Sequence, residues 1–386
     1  MDPVAISQSQ ARRIWLHAQK LDSPAPFGSG PAATPAAIQH LGYVQIDTIH
    51  VIERCHHHIL FTRIPDYRRE HLHHAQSVDK TVFEYWTHAL AYLPIEDFRF
   101  YVRDMRTYWS RRSVWFTKVK DNDVRRVLTR IRKNGALTIR DIDDKELVEK
   151  DHAWASRKPS KRALQLAFYK GLVTISHRAG MLKTYELTTR HFGWLRPPRA
   201  ASLRDASEYL VERALRSQGI VSLESISYLN PSGKPAIKRV IERRIRGKEL
   251  VPVALAGAGK WQHWALPATL EQQLEVDTDL VHILSPFDPL VNQRKRSLLI
   301  FNYEHRFEAY VPKEKRVFGY FACPVLCGDE VVAAIDLKTD REQRKLLIRK
   351  WTWVGNGSAR SHKKKIEAAL DGFERFQLAS APAAKK

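Results

Sequence analysis

The sequence predicts an α+β fold in which about three tandem winged helix-turn-helix modules precede a small β-barrel-like C-terminal domain. Helices followed by two short strands around a glycine turn occur twice, in 121–200 and in 201–275. Short runs of strand-forming residues follow from His282 onwards. The 386 residues allow two to four domains at roughly 100 to 200 residues each, and 44% hydrophobic residues suffice to fill their cores.

The first predicted module, 1–120, begins with a helix over 7–21, where apolar residues recur at helical spacing. A shorter helix ends at Gly42, because glycine accepts the left-handed conformation that closes helices. Residues 43–49 are rich in β-branched side chains and alternate, which predicts extended backbone. The polar and aromatic stretch from about 66 to 120 is interpreted as helices.

The second and third predicted modules, 121–200 and 201–275, follow one plan. Each has an amphipathic helix, a turn, a basic helix and a pair of short strands, which is the order of a winged helix. The two copies match in plan rather than in letters. The predicted wing strands cover 172–176, 183–188, 250–257 and 261–266.

The C-terminal part divides into a predicted β-barrel-like domain over 276–341 and basic helices with a tail over 342–386. One of these helices is predicted from about Glu342 to Lys350, and residues 380–386 are expected to be disordered. Five short strand runs support the barrel. They are HILSPFDPL, RSLLIFNY, RFEAYVPKE, RVFGYFACPVL and EVVAAIDLKTD.

The charge of the chain selects an anionic partner, since 64 Lys and Arg against 42 Asp and Glu give a formal net charge of +22. A single basic cluster is often only a solvated helix face. Several clusters together, two of them on the predicted recognition helices, favour double-stranded DNA. RNA is the weaker alternative and would require a preference for single-stranded loops. The DNA-binding candidates on these helices are Lys161, Arg162, Lys238 and Arg239.

Several enzyme classes lack their motifs. The chain contains neither a G-x-x-x-x-G-K-[ST] loop nor H-E-x-x-H, and it lacks the zinc-deaminase pattern. Three cysteines, Cys55, Cys323 and Cys327, are too few for a disulfide framework or a four-thiolate zinc site. Consecutive imidazoles such as those of 56–58 point in different directions on a helix. We therefore expect no metal and no cofactor.

A membrane partner is also not expected. No stretch approaches the ~20 consecutive apolar residues that a membrane-spanning helix needs, and the first twenty residues lack the basic-then-apolar order of a signal peptide. The low cysteine content fits reducing surroundings. These features predict a cytoplasmic, nucleoid-associated protein.

The segment Gln45-Ile46-Asp47 is the candidate for chemistry. In extended backbone, residues i and i+2 share a face, so the Gln45 amide and the Asp47 carboxylate lie side by side. Such a pair can hold one water, with Asp47 as base or electrostatic partner and Gln45 as orienter. By spacing alone, a structural or capping role for Asp47 is the alternative.

Four longer stretches resemble the winged-helix DNA glycosylases of the AlkZ and YcaQ type, and they occur in that family's order across most of the chain. The catalytic motif of the family is Gln-apolar-Gln in one branch and Gln-apolar-Asp in the other, and residues 45–47 match the second. The four stretches are GYVQIDTIHVIERCHHHILFTRIPDY, VFEYWTHALAYLP, SPFDPLVNQRKR and GDEVVAAIDLKTDR.

The resemblance also marks residues around the catalytic motif as candidates to contact the lesion or fill the gap in the duplex. Arg54, His56 and His57 fall on the family's Arg-x-His-His. Its E-Y-W-x-H is matched by Glu84, Tyr85, Trp86 and His88, although a core role for Tyr85 and Trp86 is an equal alternative.

What the resemblance implies is a monomeric, C-shaped enzyme that hydrolyses the glycosidic bond of N7-alkylguanine and unhooks interstrand crosslinks. A cationic N7-alkylguanine is already a good leaving group, so stabilising the sugar and delivering water would fall to Asp47 and Gln45. We expect a monofunctional enzyme and an open cleft that buries little of the modified base. The alternative function is a winged-helix transcription regulator without chemistry.

Overall fold

The computed structural model describes residues 2–110, 114–142, 147, 149–150 and 156–379. Within these residues the strands form four sheets of three or four strands each, surrounded by helices. The predicted α+β class is confirmed. The predicted disorder of 380–386 lies outside the described residues. In the part of the chain that the structure describes, no helix is both long and apolar enough to cross a membrane.

The N-terminal residues join the sheet of the third module. The strand β1 (Val4–Ile6) pairs in parallel with the strand Val251–Leu255. The helix α1 (Gln8–Ala18) begins after Ser7, whose hydroxyl accepts a backbone N–H of the first turn. The helix predicted over 7–21 is confirmed over 8–18.

The first module contains a three-stranded sheet in the order β2, β4, β3. Its first strand is the short one, and its other two strands form a hairpin. Its elements are α2 (Ala33–Leu41), β2 (Val44–Gln45), α3 (Cys55–Phe61), α4 (Arg69–Ser77), β3 (Val82–Trp86) and β4 (Leu90–Pro94).

Gly42 joins α2 to β2, and the site accepts no other residue without strain. Its φ of +77° is left-handed, as predicted for a helix end. A Cβ atom at this position would also lie 2.4 Å from the Cγ and Cδ atoms of Arg213. Gly42 therefore sets both the direction of β2 and the close packing of Arg213 against it.

The prediction of helices throughout 66–120 is wrong over 82–94, which form the β3–β4 hairpin. Four of the five residues of β3 are buried, because one face packs in the core of the first module and the other contributes to the second core. A strand that is buried on both faces lacks the alternation of polar and apolar residues that identifies strands in a sequence.

The second module shares its hydrophobic core with the β3–β4 hairpin. Its sheet has the order β5, β7, β6. The predicted wing strands are confirmed in β6 and β7. The elements from 98 to 192 are α5 (Phe98–Ser110), α6 (Asp121–Asn134), β5 (Leu137–Thr138), α7 (Pro159–Tyr169), β6 (Val173–Ala179), β7 (Leu182–Leu187) and α8 (Thr188–Phe192).

The third module has the same order of helix, short strand, helices and hairpin, and β1 extends its sheet to β1, β9, β10, β8. This order is the one that the sequence analysis expects of a winged helix. The predicted module boundaries stay predictions. The elements are α9 (Leu203–Gln218), β8 (Ile220–Val221), α10 (Leu223–Ile226), α11 (Lys234–Arg246), β9 (Val251–Leu255), β10 (His263–Ala265) and α12 (Pro267–Leu270).

The C-terminal domain is an open antiparallel sheet in the order β11, β12, β13, β14, covered by the helix α14. Among the described residues, β11 and β14 are edges and do not pair with each other, so the predicted barrel is not closed. The elements are β11 (Val281–Ile283), α13 (Arg294–Phe301), β12 (Ala322–Cys327), β13 (Glu330–Asp340), β14 (Lys345–Trp353) and α14 (Ala359–Leu378).

The barrel prediction fails because two of its five strand runs are not strands. RSLLIFNY lies mostly in α13, where Ser297, Ile300 and Phe301 are buried. RFEAYVPKE forms a loop, in which the Glu308 carboxylate accepts the backbone N–H groups of 317–319. Those amides are therefore satisfied by a side chain rather than by a neighbouring strand.

The helix predicted from 342 to 350 is also wrong, since β14 occupies most of this region. Its basic residues lie on the exposed edge strand of the sheet rather than on a helix. Lysine and arginine protect such edges against pairing with other chains. A charge-rich edge strand and a solvated helix therefore have similar compositions.

A fully buried ion pair connects three distant parts of the chain. Arg63, which follows α3, donates two hydrogen bonds to the Asp288 carboxylate at 2.8 and 3.0 Å. It also donates to the Gln19 carbonyl and side-chain oxygens and to the Ile59 carbonyl. All five guanidinium N–H groups are thus used, which is the condition for burying an arginine without a large penalty.

We predict that Arg63→Ala lowers the free energy of unfolding by about 3 to 5 kcal/mol, because Asp288 is left charged and buried without a partner. The measurement is urea unfolding followed by tryptophan fluorescence. Lys363→Ala removes a cation from an exposed pair with Glu367 and should change stability by less than about 0.5 kcal/mol. Equal effects of the two substitutions would contradict the role given to Arg63.

Candidate active site

Gln45 and Asp47 lie where β2 ends. Val44 and Ile46 are buried in the core of the first module. Gln45 and Asp47 therefore belong to the opposite face, as the alternation predicts. The Ile46 N–H donates to the Leu90 carbonyl at 2.7 Å, and regular pairing stops there.

The Gln45 side chain is held by His88, which stands at the tip of the β3–β4 hairpin. The His88 Nε2 and the Gln45 Oε1 are 3.1 Å apart. Because an amide oxygen only accepts, this orientation requires His88 to carry its proton on Nε2. Burial lowers the pKa of His88 to about 4, so the imidazole is neutral at pH 7. The amide NH2 of Gln45 is left for other partners.

The Asp47 carboxylate is fixed by the backbone but stays accessible. Its Oδ1 accepts the N–H of Ile49 at 2.8 Å, the bond of an Asx turn. The residue is partly exposed, whereas Gln45 is only 8% exposed. In the described chain no partner is recorded for Oδ2, so this oxygen can bind a water molecule.

His56 and His57 lie on α3 with their rings 4.3 Å apart. The His57 Nδ1 is 2.6 Å from the hydroxyl of Tyr67. Burial lowers the pKa of His57 to about 4 and holds that of His56 well below its usual value. Both rings are therefore neutral at pH 7. His57 is partly exposed and can offer a hydrogen bond to DNA, whereas His56 is 3% exposed, so its predicted contact with DNA does not fit its buried position.

Arg54 is half-buried just before α3. Its Nη2 would lie 3.9 Å from a Cβ placed on Gly180, in the turn between β6 and β7. Burial lowers the pKa of Arg54, and Arg341 and Arg178 repel its charge. The second module therefore reaches the first one beside the predicted site.

Glu84 makes this contact rigid, since its carboxylate receives two hydrogen bonds from Arg178 at 2.5 and 2.6 Å. The Gln76 amide donates to the same carboxylate at 2.9 Å. Glu84 is on β3 and Arg178 on β6, and both are buried. The hairpin that carries His88 is thereby tied to the wing of the second module.

The two aromatic candidates have different surroundings. Tyr85 is 2% exposed and its hydroxyl donates to the Tyr169 carbonyl at 2.7 Å, so its predicted contact with DNA does not fit its place in the core. Trp86 stacks on the Tyr169 ring at 5.9 Å and is 40% exposed. Only Trp86 has a free surface for a ligand in this conformation.

The basic candidates for DNA binding include three exposed residues and one buried residue. Lys161 on α7 and Lys238 and Arg239 on α11 are exposed, whereas Arg162 is 4% exposed. Arg162 therefore has its guanidinium inside the second module, not on a DNA-facing surface. The Lys238 Nζ lies 3.7 Å from Glu242, a pair that leaves it open to solvent.

A cavity of about 580 Å³ is lined by Tyr43 and by His88, the residue that contacts the Gln45 side chain. The sequence analysis missed it, because its walls come from segments that are far apart in the chain and no local pattern connects them. The one available signal was Tyr43, two residues before Gln45 and therefore on the same strand face. The main lining residues are Tyr43, Trp86, His88, Tyr209, Arg213 and Tyr228.

A metal centre was not expected, and the described residues contain no group of three or more histidine, cysteine, aspartate or glutamate side chains placed to hold an ion. The cysteines Cys55, Cys323 and Cys327 are buried and free. Burial raises the pKa of the Cys323 thiol, which fits a packing role.

Comparison with known proteins gives a matching family model and similar solved structures. A family model described as DNA glycosylase AlkZ-like matches residues 38–376. Among solved structures, the DNA glycosylase AlkZ of Streptomyces sahachiroi superposes with a TM-score of 0.62 at 16% identity, covering 97% of this chain and 97% of that chain. At this identity the structural match supports the fold alone, and the family model carries the assignment.

We predict that stability falls as the pH drops from about 6.5 to 4. Burial lowers the pKa of His57, His58, His88 and His282 from 6.5 to about 4, so unfolding takes up protons in this window. The unfolded state binds more protons there, which makes the free energy of unfolding rise with pH by up to ~1.4 kcal/mol per unit for each histidine.

Urea unfolding at pH 7.5, 6 and 5 measures this slope. His58→Gln should lower the number of protons taken up on unfolding at pH 5 by about one, and the slope of the free energy of unfolding against pH falls accordingly. The reason is that His58 is buried and bonded to the Ile283 carbonyl. Stability that does not change between pH 7 and 5 would contradict the neutral histidines.

Proposed function

The chain belongs to the AlkZ-like DNA glycosylase family, and we propose that it hydrolyses the N-glycosidic bond of N7-alkylguanine and unhooks DNA interstrand crosslinks. The observation that carries the proposal is the placement of Gln45 and Asp47 on one face at the end of β2. Gln45 is fixed by a neutral histidine, and Asp47 is fixed by the backbone with one oxygen open.

The chemistry of the substrate explains why so few groups suffice. Alkylation at N7 gives the purine a positive charge, so the base leaves as a neutral molecule and needs no strong acid. The barrier lies in the sugar, which develops oxocarbenium character at C1′. A carboxylate beside C1′ stabilises that charge, and we assign this task to Asp47.

The nucleophile in this proposal is water. Asp47 Oδ2 accepts a proton from the water as its oxygen bonds to C1′, while the bond from C1′ to N9 breaks and its electrons stay on the base. The Gln45 oxygen accepts a hydrogen bond from His88, so the Gln45 NH2 group is the part that donates to the water and orients it. No lysine nucleophile takes part, so the enzyme is monofunctional and leaves an abasic site.

Binding of double-stranded DNA rests on the charge of +22 and on exposed cations of the second and third modules. Lys161, Lys238 and Arg239 are exposed and suit phosphate contacts. Arg54, His57 and Trp86 are at least partly exposed and suit contacts near the lesion, whereas His56 is 3% exposed and supports the site from the interior. Arg162 and Tyr85 are buried, so in this proposal they support the site without touching DNA.

Partial exposure of Asp47 fits a substrate that stays in the duplex. A crosslinked guanine is tethered to the opposite strand and cannot be extruded, so its C1′ must be reached from the groove. We propose that a monomer acts on such lesions in nucleoid DNA.

We predict that Asp47→Asn lowers release of N7-methylguanine from alkylated duplex DNA by roughly 10²-fold or more, and that Gln45→Ala lowers it less. Asparagine keeps the size of the side chain and its bond to Ile49 but loses the charge and the base. The measurement is released base under single-turnover conditions, with unhooking of a mustard crosslink in parallel.

Asp79→Asn is the matched control, because Asp79 is an exposed aspartate beside His74. It should retain full activity, and all variants should still bind duplex DNA. Tight duplex binding by the wild type without release from either substrate would sink the proposal and favour a winged-helix regulator.

A further inference from the structure

The cavity of about 580 Å³ begins where the proposed catalytic residues end. Tyr43 lines it and lies two residues before Gln45, on the same face of the extended segment. Two residues of extended backbone separate their Cα atoms by about 7 Å. His88 lines it as well and holds the Gln45 oxygen. The cavity is therefore connected through His88 to Gln45, the residue proposed to orient the attacking water.

The walls of the cavity are aromatic on more than one side. The His88 ring meets Tyr43 and Tyr228 edge-on, with centroids 5.1 and 5.5 Å apart. Farther in, Phe100 stacks on Tyr209 at 4.1 Å. Such ring surfaces favour a planar, unsaturated occupant.

Three apolar side chains that line the cavity are exposed to solvent. Trp86, Leu203 and Leu229 line it and are 40%, 47% and 67% exposed. Trp86 has one ring face covered by Tyr169, which leaves the other available. Exposed apolar groups around an aromatic cavity are typical of a binding site.

Arg213 supplies the polar recognition. Its guanidinium stacks over the Tyr43 and Tyr209 rings at 5.7 and 5.6 Å and donates to the Tyr101 hydroxyl at 3.3 Å. In the described part of the chain it makes no ion pair within 4.0 Å. Its side-chain acceptors are the Tyr101 and Tyr209 hydroxyls, which do not use all five of its N–H donors. These donors suit a carbonyl oxygen on a planar ligand.

We propose that this cavity binds a single nucleobase that has left the duplex stack at the lesion, with Arg213 donating to the O6 carbonyl of guanine. The inference rests on the proposed function and adds a second mode to it. An untethered N7-alkylguanine enters the cavity, whereas a crosslinked guanine is hydrolysed in the open cleft. Stacking on the cavity rings compensates for the base stacking lost in the duplex.

Chemical preferences follow from the walls. Arginine commonly donates to O6 of guanine, and N7, its other usual acceptor, is blocked by the alkyl group. Adenine presents an amino donor at the same position, which Arg213 cannot satisfy. The cavity therefore favours alkylguanine over alkyladenine.

The test uses a duplex with 2′-fluoro-N7-methyl-2′-deoxyguanosine, in which fluorine slows cleavage, and 2-aminopurine as its 3′ neighbour. When the lesion base leaves the stack, the fluorescence of 2-aminopurine rises. We expect the wild type to produce this rise. Ala206→Phe, which fills the cavity from α9, should abolish it and lower N7-methylguanine release at least about tenfold, while crosslink unhooking changes less than about twofold.

Ala368→Phe is the matched control on the exposed face of α14 and should behave like the wild type. Leu203→Trp is a second cavity variant for the case in which Ala206→Phe does not fold. Leu203 is exposed, so the larger side chain narrows the cavity without being forced into the core. Unchanged fluorescence and unchanged release in both cavity variants would overturn the inference. A fluorescence rise without any base release by the wild type would instead overturn the proposed function and leave the cavity as a base-binding site.

Discussion

The buried bond network of Arg63 is the constraint on which the arrangement of the molecule depends. It joins the end of α1, the end of α3 and the loop after β11 through five hydrogen bonds. A fully buried ion pair adds little net stability compared with apolar packing. It does fix the relative positions of the segments that it joins, because each N–H donor has a single acceptor. The helix that carries His56 and His57 is thereby held against both the N-terminal helix and the C-terminal domain.

A second link of the same kind positions the chemistry. Gln45 is oriented by His88, His88 is carried by the β3–β4 hairpin, and the hairpin is tied to β6 by Glu84 and Arg178. Preorganised groups lower a barrier only when their own positions are locked. The proposed active site therefore depends on a neighbouring module and not on the motif alone.

Sequence reasoning succeeded where the information is local. The alternation of 43–49 placed Gln45 and Asp47 on one face, and the wing strands β6, β7, β9 and β10 follow from runs between turns. It failed for a strand that is buried on both faces and for a strand whose composition is also that of an exposed helix. The strand β3 is buried on both faces, and the basic edge strand β14 has the composition of a solvated helix.

Contacts between distant segments could not be predicted at all. Arg213 packs on Tyr43 across the boundary between the first and third modules, and nothing in either local sequence indicates the other. The same holds for Arg162 and Tyr85, whose residue types suit DNA as well as a core. Their burial depends on which face of α7 and of β3 packs inward, a property of the assembled fold.

The packing of α14 on α3 has a consequence for synthesis of the protein on the ribosome. The backbone of Glu53 donates to Gln377, 324 positions later, and the Phe61 ring stacks on Phe376 at 4.2 Å. The segment after the Gln-Ile-Asp motif therefore cannot reach its native packing until nearly the whole described chain has been translated. The basic helices α7 and α11 precede α14 in the chain, so they are translated before the first module receives its last packing partner.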